Sequence, residues 1–534
     1  MARRCETSAT VAWGLLTMAD SSFRPPAWLP HVASVAVATV IFTLIYDPFH
    51  ASALSFLALT PVVLVFADPR IPCTLRRAAL CGFAFGLCAS MAIVGPWMFA
   101  AAVDYFDRSG VWSFSFTLAI NALYVALFYV PAFTAIRLLS ITPPLVRIFG
   151  AGSVWIALEA LRAADPVGNA WALLGQGLMG IPLIREAAAF GGVWLLGWIA
   201  AICGSAIGVA LQPDLGTRDV LRSTRIVVAA PLLLALLGII ARYGDRSFAP
   251  LQPLRVAIVQ AEIPSRDVWD PAKRMEHWDS YVSATESLVP GTVDVVVWPE
   301  SAAPFLLDAD ASARARLVEL STKLNAAILL GAPRTQPTST GRAALLNSVY
   351  FFSPGIPDPK TYDKRRLLPF VERAPVAAAG ERETVEYTAG ALPVLFDVHG
   401  WQLAPLLCFE AIYPEYSRAA VLAGAHLLVN LSNDAWFAGG AGPEQHFAMS
   451  SLATVEFRRS MVRAANGGVS GAIGPDGAEI GYTIHRQKAV RIFQIPTPPR
   501  TITMTAERGD IIAWIAGAVA LLCLALSLRP ARSG

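Results

Sequence analysis

Apolar residues follow two different patterns along this chain, and the change falls near residue 250. Before it, long apolar runs occupy about 30–46, 52–67, 76–101, 112–139, 145–163, 189–211 and 226–242, with short breaks between them. A last run covers about 510–528. Such runs predict membrane-spanning helices, which need roughly 17–25 residues; the first two are at or below that limit and suit a tight hairpin. After residue 250 the runs shorten. Arg255–Gln260, Val293–Trp298, Ala326–Leu330, Asn347–Phe352, Leu403–Leu407, His426–Leu431 and Gly468–Ile473 have the pattern of strands. Pro271–Leu288, Ala311–Leu324, Pro414–Ala425 and Glu444–Arg459 have the pattern of helices. Strands alternating with helices predict an α/β domain with its own core.

The expected plan is therefore a polytopic α-helical membrane domain of about eight spans plus an α/β domain. Its parts are an N-terminal segment (1–29), a transmembrane domain (30–245), an α/β domain (250–500) and a C-terminal transmembrane helix (510–528). Composition agrees. Of 534 residues 55% are hydrophobic and only 15% charged, against about 25% charged in soluble proteins. Met1 to Leu29 shows no small-residue cleavage pattern, so no signal peptide is expected.

Charge placement orients the spans. Arg70, Arg76 and Arg77 follow the second run, Arg137 and Arg147 the fourth, Arg218, Arg222 and Arg225 the sixth, and Arg529 and Arg532 the last. The alternate loops carry Asp47, then Asp104, Asp107 and Arg108, then a mixed set of Arg162, Asp165, Arg185 and Glu186. The positive-inside rule puts both termini in the cytoplasm and the α/β domain outside. The loop from Arg162 to Phe190 lies on that outer side. It is apolar but broken by Gly175, Gly177, Gly180 and Pro182, which fits either a re-entrant segment covered by protein or a loop packed on its own domain. A net charge of +3 gives no basis for nucleic-acid binding. The seven cysteines show neither metal spacing nor a paired framework, and no cofactor motif appears.

Three places in the α/β domain carry candidate chemistry. Cys408 ends the apolar run Leu403–Leu407 and precedes a helical pattern, where a thiol is presented beside free backbone N–H groups. Glu300, in Val297-Trp298-Pro299-Glu300, stands just beyond another strand. Lys364 follows Tyr362-Asp363 in what looks like a loop. Together they offer a nucleophile, a base and an oxyanion stabiliser. Each also has a plain reading: Cys408 as a small buried hydrophobe, Glu300 as a helix-start carboxylate, and Lys364 with Arg365 and Arg366 as a solvated basic face. A Cys408–His446 dyad is a further arrangement. Asn433 and Asp434 fit a structural turn.

The order Glu300, Lys364, Cys408 resembles the nitrilase, or carbon–nitrogen hydrolase, superfamily. Trp298-Pro299-Glu300, Tyr362-Asp363-Lys364 and Cys408-Phe409-Glu410 match its three motifs. The wider chain is similar to its membrane branch, the apolipoprotein N-acyltransferases. The resemblance rests on Leu368-Pro369-Phe370 with Glu372, Asn433-Asp434-Ala435-Trp436-Phe437, Gly442-Pro443-Glu444-Gln445-His446-Phe447 and Arg463-Ala464-Ala465-Asn466-Gly467-Gly468. In the membrane part it rests on Glu159-Ala160-Leu161-Arg162, Trp171, Gly175 and Gly191-Gly192.

This resemblance implies an αββα sandwich on the periplasmic side of a bacterial inner membrane. It implies a ping-pong acyltransferase without cofactor or metal, acting as a monomer among membrane lipids. A phospholipid would be the donor and a diacylglyceryl-modified apolipoprotein the acceptor. Cys408 would be the nucleophile, Glu300 the general base, Lys364 the oxyanion stabiliser and Glu372 an auxiliary carboxylate. Phe409, Glu410, Trp436 and Phe437 would contact substrate or acyl chain, although Trp436 and Phe437 read rather more readily as core, where buried aromatics usually belong. Phe409 departs from the tyrosine common in the family, and Val371 and Arg373 replace a more usual glycine and aromatic. Two other functions fit the residues: a membrane-tethered amidase in which water resolves the thioester, and a non-catalytic assembly factor with a retained hydrolase domain.

Overall fold

The computed structural model describes residues 26–106, 108–164, 168–213, 215–244, 247–337, 343–368, 372, 387–437, 440–483 and 487–528. The readings of Pro369, Phe370, Val371 and Arg373, of Asp107 and Asp165, and of the arginines near both ends (Arg3, Arg4, Arg24, Arg529, Arg532) fall outside them.

The apolar runs form helices α1 (Leu29–Ile45), α2 (Leu75–Ile93), α3 (Gly95–Phe106), α4 (Gly110–Ile141), α5 (Pro144–Ala163), α6 (Ala188–Ala210) and α7 (Thr217–Tyr243). Five of these, α2 and α4 to α7, are long and apolar enough to cross a membrane; Leu29–Ile45, Ser52–Phe66 and Ile511–Ser527 are shorter apolar helices. The expected single span at 76–101 is broken at Val94. Pro96 has no N–H to continue the helix, so a new one, α3, starts at Gly95.

Helix α6 is the hub. Its glycines bring neighbouring backbones close: a methyl group on Gly208 would stand 2.8 Å from the Thr60 carbonyl, and one on Gly204 3.0 Å from the Leu59 nitrogen. Small residues at such crossings let helices pack without a hydrophobic driving force. By contrast α7 turns Leu232, Leu233, Leu236 and Ile239 outward, a face suited to lipid. The loop after α5 is covered by protein, with Leu173, Leu174 and Leu178 buried. Glu159 of α5 pins it by accepting from the Leu174 N–H (3.1 Å) and the Trp155 indole (3.1 Å).

Among the described residues, the rest of the chain builds two six-stranded sheets flanked by helices. One has the order β12 (Ala489–Ile495), β1 (Leu254–Gln260), β2 (Val295–Val297), β3 (Ala327–Pro337), β4 (Ala343–Phe352), β5 (Lys360–Asp363). The other has β11 (Glu479–Tyr482), β10 (Gly471–Ile473), β9 (Ser460–Asn466), β8 (Leu427–Asn433), β7 (Trp401–Leu407), β6 (Phe396–Val398). The inner strands β1–β2–β3 and β7–β8–β9 pair in parallel. Alternation then builds two layers of core. Val295 and Val297 of β2 meet Leu403 and Leu407 of β7 between the sheets. Val296 and Trp298 instead pack under α8 (Arg274–Glu286) and α9 (Ala311–Leu324), through Tyr281, Leu317 and Leu320. On the far side Ala404 and Leu406 pack under α10 (Pro414–Leu422) and α11 (Gly442–Phe457). The result is an αββα sandwich, from which the chain passes to α12 (Ile511–Ser527).

Several strands exceed the expected ones. The pattern placed one strand at Gly468–Ile473, whereas β9 precedes a separate, shorter β10. Lys360–Asp363, expected in a loop, is edge strand β5.

Candidate active site

Glu300, Lys364 and Cys408 follow directly or shortly after β2, β5 and β7, so their positions are set by strand ends. At Cys408 the backbone enters the left-handed region, with φ of 51°. A non-glycine residue there carries strain of order 1–3 kcal/mol and persists only where its surroundings hold it. Two groups hold it. The Asn430 side-chain amide donates to the carbonyls of Leu406 (3.1 Å) and Cys408 (3.2 Å). Glu410, fully buried, accepts from the Leu407 N–H (2.7 Å) and the Tyr362 hydroxyl (2.8 Å). Its other oxygen takes the N–H groups of Arg365 (2.6 Å) and Arg366 (3.1 Å). Glu410 thus clamps the turn carrying the thiol to the turn carrying the lysine.

Lys364 is only 2% exposed, so it is not part of a solvated basic face. Its ammonium lies between Glu300 Oε1 (3.0 Å) and Glu372 Oε1 (2.9 Å). Asn347 on β4 donates to the same two oxygens, at 2.8 Å and 2.7 Å. The second oxygen of Glu300 accepts from the Asn433 N–H (3.0 Å), and that of Glu372 from the Leu368 N–H (2.8 Å). Glu300 sits in a turn rather than at a helix start. Gly331 on β3 makes room for it: a methyl group there would stand 2.6 Å from the Glu300 Cα.

Burial alone would lower the pKa of Lys364, but Glu300, Glu372 and Cys408 hold it well above the ordinary lysine value. The group is a fixed ammonium. Burial, then the Glu300 charge, push the Cys408 thiol well above its usual range, and Lys364 opposes them only in part. Cys408 therefore rests as a thiol, and a base would have to remove its proton before it could act as a nucleophile.

Behind the turn lies a second buried polar group. Arg463 of β9 pairs with Asp434 (2.6 Å), and Asp434 contacts His446 Nδ1 (3.0 Å). Burial would raise the Asp434 pKa, yet Arg463 and His446 hold it below the usual carboxylate range. Burial and then Arg463 keep His446 below the ordinary histidine value. His446 is thus engaged with Asp434 and Arg463, while its ring stacks on Phe409 (4.9 Å).

Of the residues read as acyl contacts, Glu410 and Phe437 are fully buried. Glu410 is saturated by its four donors, and Phe437 packs edge-on to Trp97 of α3 (4.9 Å). Neither offers surface to a chain. Phe409 and the half-buried Trp436 lie together (5.9 Å), with Trp171 beside Phe409 (5.8 Å). Gln445 of α11 ties this cluster to the membrane helices. It accepts from the indoles of Trp97 (3.2 Å) and Trp171 (2.9 Å) and donates to the carbonyls of Asp47 (3.0 Å) and Ile93 (3.2 Å). Cys408 and Phe409 consequently share one apolar cluster with the membrane helices. Sequence reasoning missed Asn347 as a site residue. Its only signal was a lone amide at the head of an apolar strand.

The family model for the carbon–nitrogen hydrolases matches residues 255–498, and that for the apolipoprotein N-acyltransferase N-terminal domain matches residues 38–206. An apolipoprotein N-acyltransferase of Geobacter metallireducens is 30% identical over 515 residues, covering 92% of this chain and 94% of that one. One from Azotobacter vinelandii is 29% identical over 518 residues, covering 95% and 96%. One from Brucella suis is 31% identical over 477 residues, covering 85% and 87%. With the apolar helices, these relatives make the chain a bacterial membrane protein. Because the likeness runs through both the helical part and the αββα sandwich, the chain belongs to the apolipoprotein N-acyltransferase family.

Proposed function

We propose that this protein moves a fatty acyl chain from a membrane phospholipid to the α-amino group of a diacylglyceryl-cysteine at the N-terminus of an apolipoprotein, through a thioester on Cys408. Glu300 removes the thiol proton as the sulfur attacks the ester carbonyl. The oxyanion that forms lies against the Lys364 ammonium, which Glu372 and Asn347 hold in place. Collapse breaks the ester C–O bond, and the lysophospholipid leaves with the proton from Glu300. In the second half the acceptor amine attacks the thioester carbonyl and gives a proton to Glu300. The Cys408 thiolate departs and is reprotonated. Splitting the transfer in two replaces one hard displacement with two easier ones.

The observation that carries this reading is the apolar cluster that runs without a break from the membrane helices to Cys408 and Phe409. A thiol so placed suits an acyl chain arriving from the bilayer better than a small polar amide. Phe409 and Trp436 are the side chains offered to that acyl chain. The eight apolar segments would all span, with both termini cytoplasmic and the sandwich in the periplasm, a reading supported by the arginines of alternate loops. Glu300, Lys364, Glu372 and Asn347 meet within a single chain, so action as a monomer in this reading needs no second copy to complete the site.

Intact-mass spectrometry after incubation with phospholipid tests the proposal. A fatty-acyl adduct on Cys408 that persists in water and is discharged by a diacylglyceryl-cysteine peptide is expected. An adduct that water clears as fast as the peptide does would instead make the protein a hydrolase.

A further inference from the structure

A cavity of about 210 Å³ lies where α6 and α12 begin, against α10 and α11 of the sandwich. None of Glu300, Lys364 and Cys408 lines it. It exists because α6 does not start as a regular helix. Gly192 has φ of 63°, and a methyl group there would stand 2.8 Å from Glu456 Oε1. The opened turn hands its Gly192 N–H to the Thr505 hydroxyl (3.0 Å) and its Val193 N–H to Glu456 Oε1 (2.8 Å).

The lining carries both signs of charge. Glu456 is 1% exposed, and its Oε2 has no hydrogen-bond partner among the described residues. Burial, with Asp510 and Glu415 nearby, raises its pKa to about 8, although the Val193 N–H opposes this. So placed, the carboxyl by itself keeps its proton near neutral pH, and a cation bound beside Oε2 would draw it into the ionised form. The guanidinium of Arg508, also on the lining, makes no hydrogen bond or ion pair among the described residues, while Arg418 spends part of its guanidinium on the Ala506 and Glu507 carbonyls. Trp194 donates to Asp510 (2.9 Å) and keeps that carboxylate at the rim.

We infer that this cavity binds the headgroup of a membrane phospholipid bearing a primary ammonium, with Glu456 and Asp510 taking the ammonium and Arg508 with Arg418 the phosphate. The unmet oxygen of Glu456 calls for an N–H donor, which a quaternary ammonium lacks and a glycerol headgroup replaces only with a neutral hydroxyl. Among the described residues no cluster of His, Cys, Asp or Glu is arranged to hold a metal ion, so the carboxylates do not converge as ligands. A lipid rather than a free phosphoamine is favoured by what adjoins the cavity: Trp514 is 79% exposed at its edge, and Leu521 and Leu522 continue an outward apolar face along α12. The site is independent of what Cys408 transfers.

The test uses full-length protein in detergent, with Cys408→Ala to stop transfer. Short-chain phosphatidylethanolamine, phosphatidylcholine and phosphatidylglycerol are titrated, and bound lipid is counted by native mass spectrometry. Phosphatidylethanolamine should bind about tenfold more tightly than the other two, the scale of one charge-assisted contact. Glu456→Gln, which keeps the Val193 contact, should erase that preference, whereas Arg508→Gln, at an exposed position that spares the fold, should weaken binding of all three lipids alike by removing a phosphate contact. Equal binding of the three lipids, a preference that survives Glu456→Gln, or affinities untouched by Arg508→Gln would overturn the inference. Soluble phosphoethanolamine that binds as tightly as the lipid would overturn the lipid assignment.

Discussion

The Lys364 ammonium and the Glu300 carboxylate lie 3.0 Å apart, and neither side chain is more than 6% exposed. A buried pair of this kind stores its charges for use rather than for stability alone. Glu300→Gln keeps the shape and the Asn433 contact but removes the proposed base. The rate of acyl-enzyme formation should fall about 100- to 10,000-fold, the usual range for a general base. Quenched-flow mass spectrometry of Cys408 measures it, and a rate within a fewfold of the parent would assign the base elsewhere.

Asn347 donates to both Glu300 and Glu372 from one amide. Asn347→Ala should leave two carboxylates short of a donor each, costing about 1–3 kcal/mol. Acyl-enzyme formation should also slow, by roughly 10- to 100-fold, as Lys364 loses its fixed position. Asn347→Asp should be worse on both counts, because it adds a third carboxylate beside one ammonium. Thermal unfolding in detergent and the same quenched-flow assay check both effects.

The Cys408 thiol rests protonated because burial and the Glu300 charge raise its pKa while Lys364 lowers it. The sign for each substitution follows. Removing the Glu300 charge favours the thiolate, so in Glu300→Gln the pH profile of iodoacetamide alkylation should move to lower pH. In Lys364→Gln it should move to higher pH. Alkylation would thus become easier in Glu300→Gln while acyl transfer becomes slower. Profiles that fail to separate in opposite directions would mean that neither charge acts on the thiol.

Gln445 spends all four of its side-chain hydrogen bonds across the boundary between sandwich and membrane helices. Gln445→Ala orphans two indoles and two carbonyls in a buried place and should cost about 2 kcal/mol or more. Gln445→Glu can still accept from both indoles but cannot donate, and should lie between. The ordering of their thermal midpoints against the parent is the check.

Some of this was legible from pattern alone. Long apolar runs announced helices because a span must satisfy its own backbone. Glu300 and Cys408 were found because each ends a short apolar run, where a strand stops and a side chain is presented. Strand β9 was not found, because Arg463 stands in its middle and reads as surface. It is in fact fully buried, neutralised by Asp434 twenty-nine positions away. The break at Val94 was hidden in a continuous apolar run, although Gly95-Pro96 marked it.

The sequence by itself therefore determined the two kinds of domain, the strand-end positions of Cys408 and Glu300, and the family, since these depend on local periodicity and on motifs contiguous in the chain. Only the tertiary structure decided that Lys364 is held between two carboxylates, that Asn347 joins them, that Glu410 is a clamp rather than a contact surface, and that Gln445 anchors α11 to the membrane helices. Each of those relations joins residues from separate elements. A side chain's partners there are set by how sheets and helices stack, which no local pattern of polarity records.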